Sequence, residues 1–188
     1  MIKLWLLSVV IHIYASYRIM RFGEKIYRKD VRNMYSLHDI VHSKFNIPSA
    51  FFRLLIEAGH AIPALHLFTI IDSKTLNLWL LRHSALLLCR VLCFSSTLLP
   101  LTNTNNDSKP LWFLFGGKHD LLFSGHASFM WLSTLMLKDL NINSNLYVTY
   151  VFLSILVSFG IIVSRNHYTI DVLVAILATS ATMHLKID

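Results

Sequence analysis

Apolar residues in this chain collect into long stretches, and polar residues punctuate the gaps between them. The stretches span residues 2 to 20, 51 to 71, 76 to 99, 121 to 137, 146 to 164 and 168 to 185. A helix that crosses the hydrocarbon core of a bilayer needs roughly 20 mostly apolar residues. The pattern therefore predicts an all-α polytopic membrane protein, a bundle of about six transmembrane helices. One domain over residues 1–188 accounts for the whole pattern. Lys3 followed by an apolar run has the outline of a secretory leader, but His12, Tyr14 and Tyr17 interrupt it and no small-residue cleavage site follows. The first stretch is therefore expected to remain as a membrane helix.

The connections are read from their punctuation. Asn103 to Ser108, bounded by Pro100 and Pro110, form a polar loop. The links at 72–75 and 138–145, with Asp72-Ser73-Lys74 and Lys138-Asp139 as their charged cores, are short and make the helices they join antiparallel neighbours. Arg165-Asn166-His167 is shorter still and sets His167 at the start of the last helix. With six crossings, the loops after the odd-numbered helices share one face, and that face carries both His-bearing segments described below. The two termini then meet on the other.

Composition supports this reading: 55% of the 188 residues are hydrophobic and only 14% charged, above the apolar content usual for soluble domains. The formal charge of +7 does not point to nucleic acid. Arg18, Arg21, Lys25, Arg28, Lys29 and Arg32 directly follow the first apolar stretch, where cations meet anionic headgroups at about 1 kcal/mol each. Cys89 and Cys93 lie one helical turn apart, so they share a helix face and build no disulfide framework; small apolar packing is their expected role. Trp5, Trp79, Trp112 and Trp131 are expected in helix packing or in an interfacial belt.

Two segments concentrate the chemistry. Ser124-Gly125-His126 opens the fourth stretch, where a helix N-terminus presents free N–H groups and the positive end of its dipole, a setting suited to phosphate. His126 then offers an imidazole able to give and take protons in alternate steps. In the other segment, His167 and Asp171 are four residues apart and share a helix face. A carboxylate so placed orients the imidazole and makes His167 a credible nucleophile. Arg165 and Lys118 are candidate cations for phosphoryl oxygens. Each segment alone is a weak signal. On one face, at membrane boundaries where ionisable groups are costly, they read together as a site.

At these residues the chain resembles the sphingomyelin synthase family, a branch of the lipid phosphate phosphatase superfamily. The likeness runs through Asp120-Leu121-Leu122-Phe123-Ser124-Gly125-His126 and His167-Tyr168-Thr169-Ile170-Asp171-Val172-Leu173-Val174-Ala175. Arg90, Thr97, Leu99-Pro100, Ser36-Leu37-His38-Asp39 and Glu57 fall where the family has weaker signatures. The chain departs from the family at Lys118-His119-Asp120, where Cys-Gly-Asp is usual, and is shorter than its members tend to be. The resemblance implies transfer of phosphocholine or phosphoethanolamine from a glycerophospholipid to ceramide, releasing diacylglycerol, through a phosphohistidine at His167 with no metal or cofactor. His126 would shuttle the proton and Asp171 would hold His167, with Ser124, Gly125, Arg165, Asp120, Lys118, Arg90 and Glu57 as substrate-binding candidates. Arg90 and Glu57, both within apolar stretches, read first as a structural ion pair; the alternative sets Arg90 on phosphate and Glu57 or Asp120 behind a histidine.

Other classes fit less well. A lipid phosphate phosphatase would use water as acceptor, and a lipid-binding scaffold would need neither histidine. Ten histidines invite a metal, and His38-x-x-x-His42 has the spacing of one element of membrane di-iron oxidases, but no His-His pair occurs and His12, His60, His66, His83 and His184 are scattered singly. Sidedness is contested. Eleven of the 17 Lys and Arg fall on the face of the two segments, which the positive-inside rule assigns to the cytosol, whereas the resemblance assigns that face to the lumen or exterior. The latter is preferred, because the basic run after the first helix can lie along headgroups. A sequon at Asn106-Asp107-Ser108 offers a test.

Overall fold

The computed structural model describes residues 1–27, 38–45, 49–100 and 121–186. Every regular element among them is a helix: α1 (Ile2–Tyr27), α2 (Ile40–Lys44), α3 (Ser49–Gly59), α4 (Ala61–Ile70), α5 (Ser73–Ser96), α6 (Gly125–Asp139), α7 (Ser144–Val163) and α8 (Thr169–Thr182). Lys118, Asp120, Asn106, Trp112 and the basic residues Arg28, Lys29 and Arg32 lie outside the described residues.

Among the described residues, three helices are long and apolar enough to cross a membrane: α1, α5 and α7. They coincide with the stretches at 2 to 20, 76 to 99 and 146 to 164. The other three stretches depart from the expected single spans. Residues 51 to 71 break at His60 into α3 and α4. Pro63, the third residue of α4, has no N–H to return to the Gly59 carbonyl, and its ring crowds that carbonyl, so the helical ladder cannot run through. The fourth stretch becomes helical only at Gly125, because the Ser124 side chain caps the helix by accepting from the Ala127 N–H. With 15 and 14 residues, α6 and α8 are about 22 and 21 Å long, against roughly 30 Å of hydrocarbon.

Helix α6 lies at the centre and packs on α4, α5, α7 and α8. Its Met130, Leu132, Met136 and Leu137 are fully buried, which is why this helix lacks an outward polar face over most of its length. On one flank α1 runs along α5, joined by a hydrogen bond from Trp5 Nε1–H to His83 Nδ1 at 2.8 Å. On another, α3 lies against α7. There glycines let the backbones approach: a Cβ at Gly59 would come within 2.7 Å of Val157 Cγ2, and one at Gly160 within 3.0 Å of Phe52 Cδ1. Small polar pairs join the helices, Trp131 Nε1–H donating to Ser158 Oγ and Thr134 meeting Ser154, both at 3.0 Å. Trp131 and the buried Trp79 are thus packing residues. Cys93 packs partly on the core, whereas Cys89 points outward.

The bundle has two chemically different ends. At one, Arg82 of α5 donates to the Met183 and Leu185 carbonyls at 2.9 and 3.3 Å and pairs with Asp139 at 3.5 Å. One guanidinium thereby satisfies the carbonyls that close α8 and ties α6 beside them. Trp5 and His83 lie at the same end of α5. The opposite end gathers Pro100, Ser124, Asp39 and His167.

Candidate active site

The turn between α7 and α8 sets the first histidine. Helix α7 ends with Asn166 N–H donating to the Ile161 carbonyl at 3.2 Å and Arg165 N–H to Ile162 at 2.9 Å, with Arg165 left-handed at φ 58°. This is a Schellman closure, whose left-handed position is usually glycine. An arginine there carries about 1 kcal/mol of strain or more. The closure reverses the chain sharply, so only Asn166 separates it from His167.

His167 is 9% exposed and Asp171 fully buried. Their contact is a hydrogen bond of 3.0 Å between Nδ1 and Oδ2. A carboxylate can only accept, so Nδ1 carries the proton of this bond, and in the neutral ring the lone pair is then on Nε2. The same Asp171 oxygen accepts from the Tyr168 N–H at 3.0 Å, closing the first turn of α8 and fixing the carboxylate against rotation. Tyr168 is locked in turn by its hydroxyl, which donates to the Pro100 carbonyl at 3.0 Å.

The second segment is fastened to the first. Ser124 N–H donates to the Asp171 carbonyl at 3.1 Å, so the start of α6 and the first turn of α8 share a backbone hydrogen bond. His126, in the first turn of α6, stands within electrostatic reach of His167, Arg90 and His60. Arg90 is buried on α5, and its guanidinium lies so close to Gly125 that a Cβ there would sit 2.5 Å from Nη1. The start of α6, the Arg90 guanidinium and the His126 imidazole are thus neighbours, and a helix N-terminus beside a guanidinium attracts an anion. Glu57 is exposed on α3, one turn before the break at His60.

Gly125→Ala is therefore expected to displace the Arg90 guanidinium without unfolding the bundle, because the clash is with the end of a long side chain. Steady-state kinetics should show KM for a phosphate-ester substrate raised by about tenfold, the loss of one charge-assisted contact.

Three residues here acquire their contacts with the site only in three dimensions. His60, isolated in the sequence, sits at the α3–α4 break with its Nδ1–H donating to the Ile56 carbonyl at 2.6 Å. Its ring meets the His126 ring edge-on at 4.9 Å between centroids. Asp39 accepts from Thr169 N–H at 2.7 Å and Thr169 Oγ1–H at 2.9 Å. His42 Nε2 lies 3.2 Å from the His167 carbonyl, so His42, the histidine of the His38-x-x-x-His42 spacing, is engaged with backbone. Arg165 directs one guanidinium arm to the His42 carbonyl at 3.1 Å. The Pro63 break was a local signal for the place of His60; nothing local marked its partner. Burial pushes the Asp39 carboxyl up, but the bonds from Thr169 and His42 outweigh it and hold it below the ordinary 3.8. Its contacts are thus at full strength above that value and weaken only as pH falls through the depressed one.

Residues 119–187 match the family described as PAP2 superfamily C-terminal. The matched region contains Ser124, Gly125, His126, Arg165, His167 and Asp171, and it supports the lipid phosphate phosphatase superfamily, whose members are generally enzymes acting on phosphate esters. No curated protein and no solved structure matches the chain.

Proposed function

We propose that this protein transfers a phospho-headgroup, phosphocholine or phosphoethanolamine, from a glycerophospholipid to ceramide. The single observation that carries the reading is the join between the two segments: an oriented His167 with a free Nε2, bonded through Asp171 to the helix start that bears His126. In the first step Nε2 attacks the headgroup phosphorus, a P–N bond forms, and the P–O bond to diacylglycerol breaks. His126, protonated, gives its proton to the departing oxygen. Asp171 stabilises the positive charge that the His167 ring acquires. In the second step the ceramide primary hydroxyl attacks phosphorus while neutral His126 takes its proton, and the P–N bond breaks to restore His167. Arg90 and the first turn of α6 hold the phosphoryl oxygens, with Arg165 beside them and Glu57 further out; Lys118 and Asp120 remain substrate-binding candidates on their sequence alone.

The superfamily match supports lipid phosphate esters as substrates. It fits water as acceptor equally well, and the acceptor is what the assay must read. Fluorescent ceramide incubated with the protein and mixed phospholipids should give a ceramide phosphodiester and diacylglycerol, with mass spectrometry naming the headgroup. Free phosphate from phosphatidic acid with no new sphingolipid would overturn the transfer reading in favour of a phosphatase. The catalytic face is proposed as luminal or extracellular on a multi-pass membrane protein of one domain. A glycan at Asn106 that an endoglycosidase removes would support this, and cytosolic labelling of Asn106→Cys by an impermeant maleimide would sink it.

A further inference from the structure

The turn that carries His167 is gripped from outside by a segment 123 to 130 residues earlier in the chain. Asp39 holds two helix starts at once. Its carboxylate accepts from Val41 N–H at 2.9 Å and His42 N–H at 3.2 Å on its own short helix, and from the Thr169 N–H and hydroxyl at the start of α8. Beside it, the His42 ring stacks on Tyr168 at 5.7 Å between centroids and reaches the His167 carbonyl. Arg165 returns a bond to the His42 carbonyl. Residues 165, 167, 168 and 169 are each touched by this segment, and the first of them has left-handed backbone.

A strained turn persists only where its surroundings over-determine it. The Schellman closure holds the turn from the α7 side and Asp171 from the α8 side; the 39–42 segment holds it from the third. We infer that Asp39 is a positioning residue for the reacting nitrogen of His167, acting through Thr169 and the first turn of α8. The inference rests on the phosphotransfer reading, in which Nε2 must stay aligned with phosphorus through two in-line steps, where misplacement by about 1 Å can cost a hundredfold in rate. A helix cap that served stability alone would leave turnover unchanged once the protein was folded.

The test uses the full chain in detergent or vesicles, with Asp39→Asn and the milder Thr169→Ala, which removes only the hydroxyl partner. Two readouts are taken: kcat and KM in the fluorescent-ceramide assay, and the rate at which diethyl pyrocarbonate modifies His167, followed by peptide mass spectrometry without substrate. For Asp39→Asn, kcat is expected to fall about ten- to a hundredfold with KM within about twofold of the parent. Modification of the buried His167 ring should speed up about tenfold as the turn loosens, with His126 unaffected. Thr169→Ala should move both readouts the same way by about two- to fivefold. Unchanged kcat, or unchanged His167 reactivity in a folded variant, would overturn the inference. If the parent protein transfers nothing to ceramide, the phosphotransfer reading fails, and the modification rates still decide whether Asp39 holds His167.

Discussion

If the proposed transfer is right, His167→Ala is expected to lower it by about 10⁴-fold or more while the helices remain folded, because the substitution removes the nitrogen proposed to attack and leaves the bundle's ties in place. Those ties do not run through the imidazole: Ser124 bonds the Asp171 carbonyl, Tyr168 bonds Pro100, and Asp39 bonds Thr169. His126→Ala is expected to cost about 10²- to 10⁴-fold, the range for a lost general acid–base. The two variants differ in what accumulates. Quenching the parent protein with donor lipid and no acceptor should leave an adduct of headgroup mass on the peptide bearing His167, stable in base and lost in acid as a P–N bond is. The adduct should be absent from His167→Ala and should form slowly in His126→Ala. An adduct elsewhere, or activity retained in both variants, would defeat the phosphohistidine route and favour a lipid-binding role.

Asp171→Asn tests the second large effect. The amide that replaces the carboxylate has no charge to oppose an imidazolium, and it can present an N–H where Nδ1 needs an acceptor, so His167 would turn or change tautomer. Turnover is expected to fall roughly 10²- to 10⁴-fold at little change in KM, the behaviour of an orienting carboxylate. The same side chain closes the first turn of α8 through the Tyr168 N–H, so a further loss of about 1 kcal/mol in stability is expected from thermal melting. Asp171→Glu separates the two effects: charge is kept, reach is altered, and partial activity without full stability is the expected outcome.

Much of this was readable along the chain. The long, mostly apolar runs at 2 to 20, 76 to 99 and 146 to 164 read as helices, since internal hydrogen bonding is what satisfies so long an apolar backbone in lipid. His167 and Asp171 meet because four residues make one helical turn, and Ser124 caps α6 as its side chain predisposes it to do. The second stretch looked continuous because hydropathy does not register the missing N–H of Pro63.

Contacts across the chain were not readable. Arg90 offered polarity without direction, and its place against Gly125 depends on how α5 is rotated on α6. His60 faces His126 from 66 positions away, and Asp39 reaches Thr169 from 130. The sequence by itself determined a helical, membrane-suited chain with two histidine segments, because period, capping and apolar length act within one or two turns. Tertiary structure alone decided that the two segments share a backbone bond and that the 39–42 segment grips the turn. Such pairings follow from how helix faces pack, and packing is settled by the shapes of all the partners together.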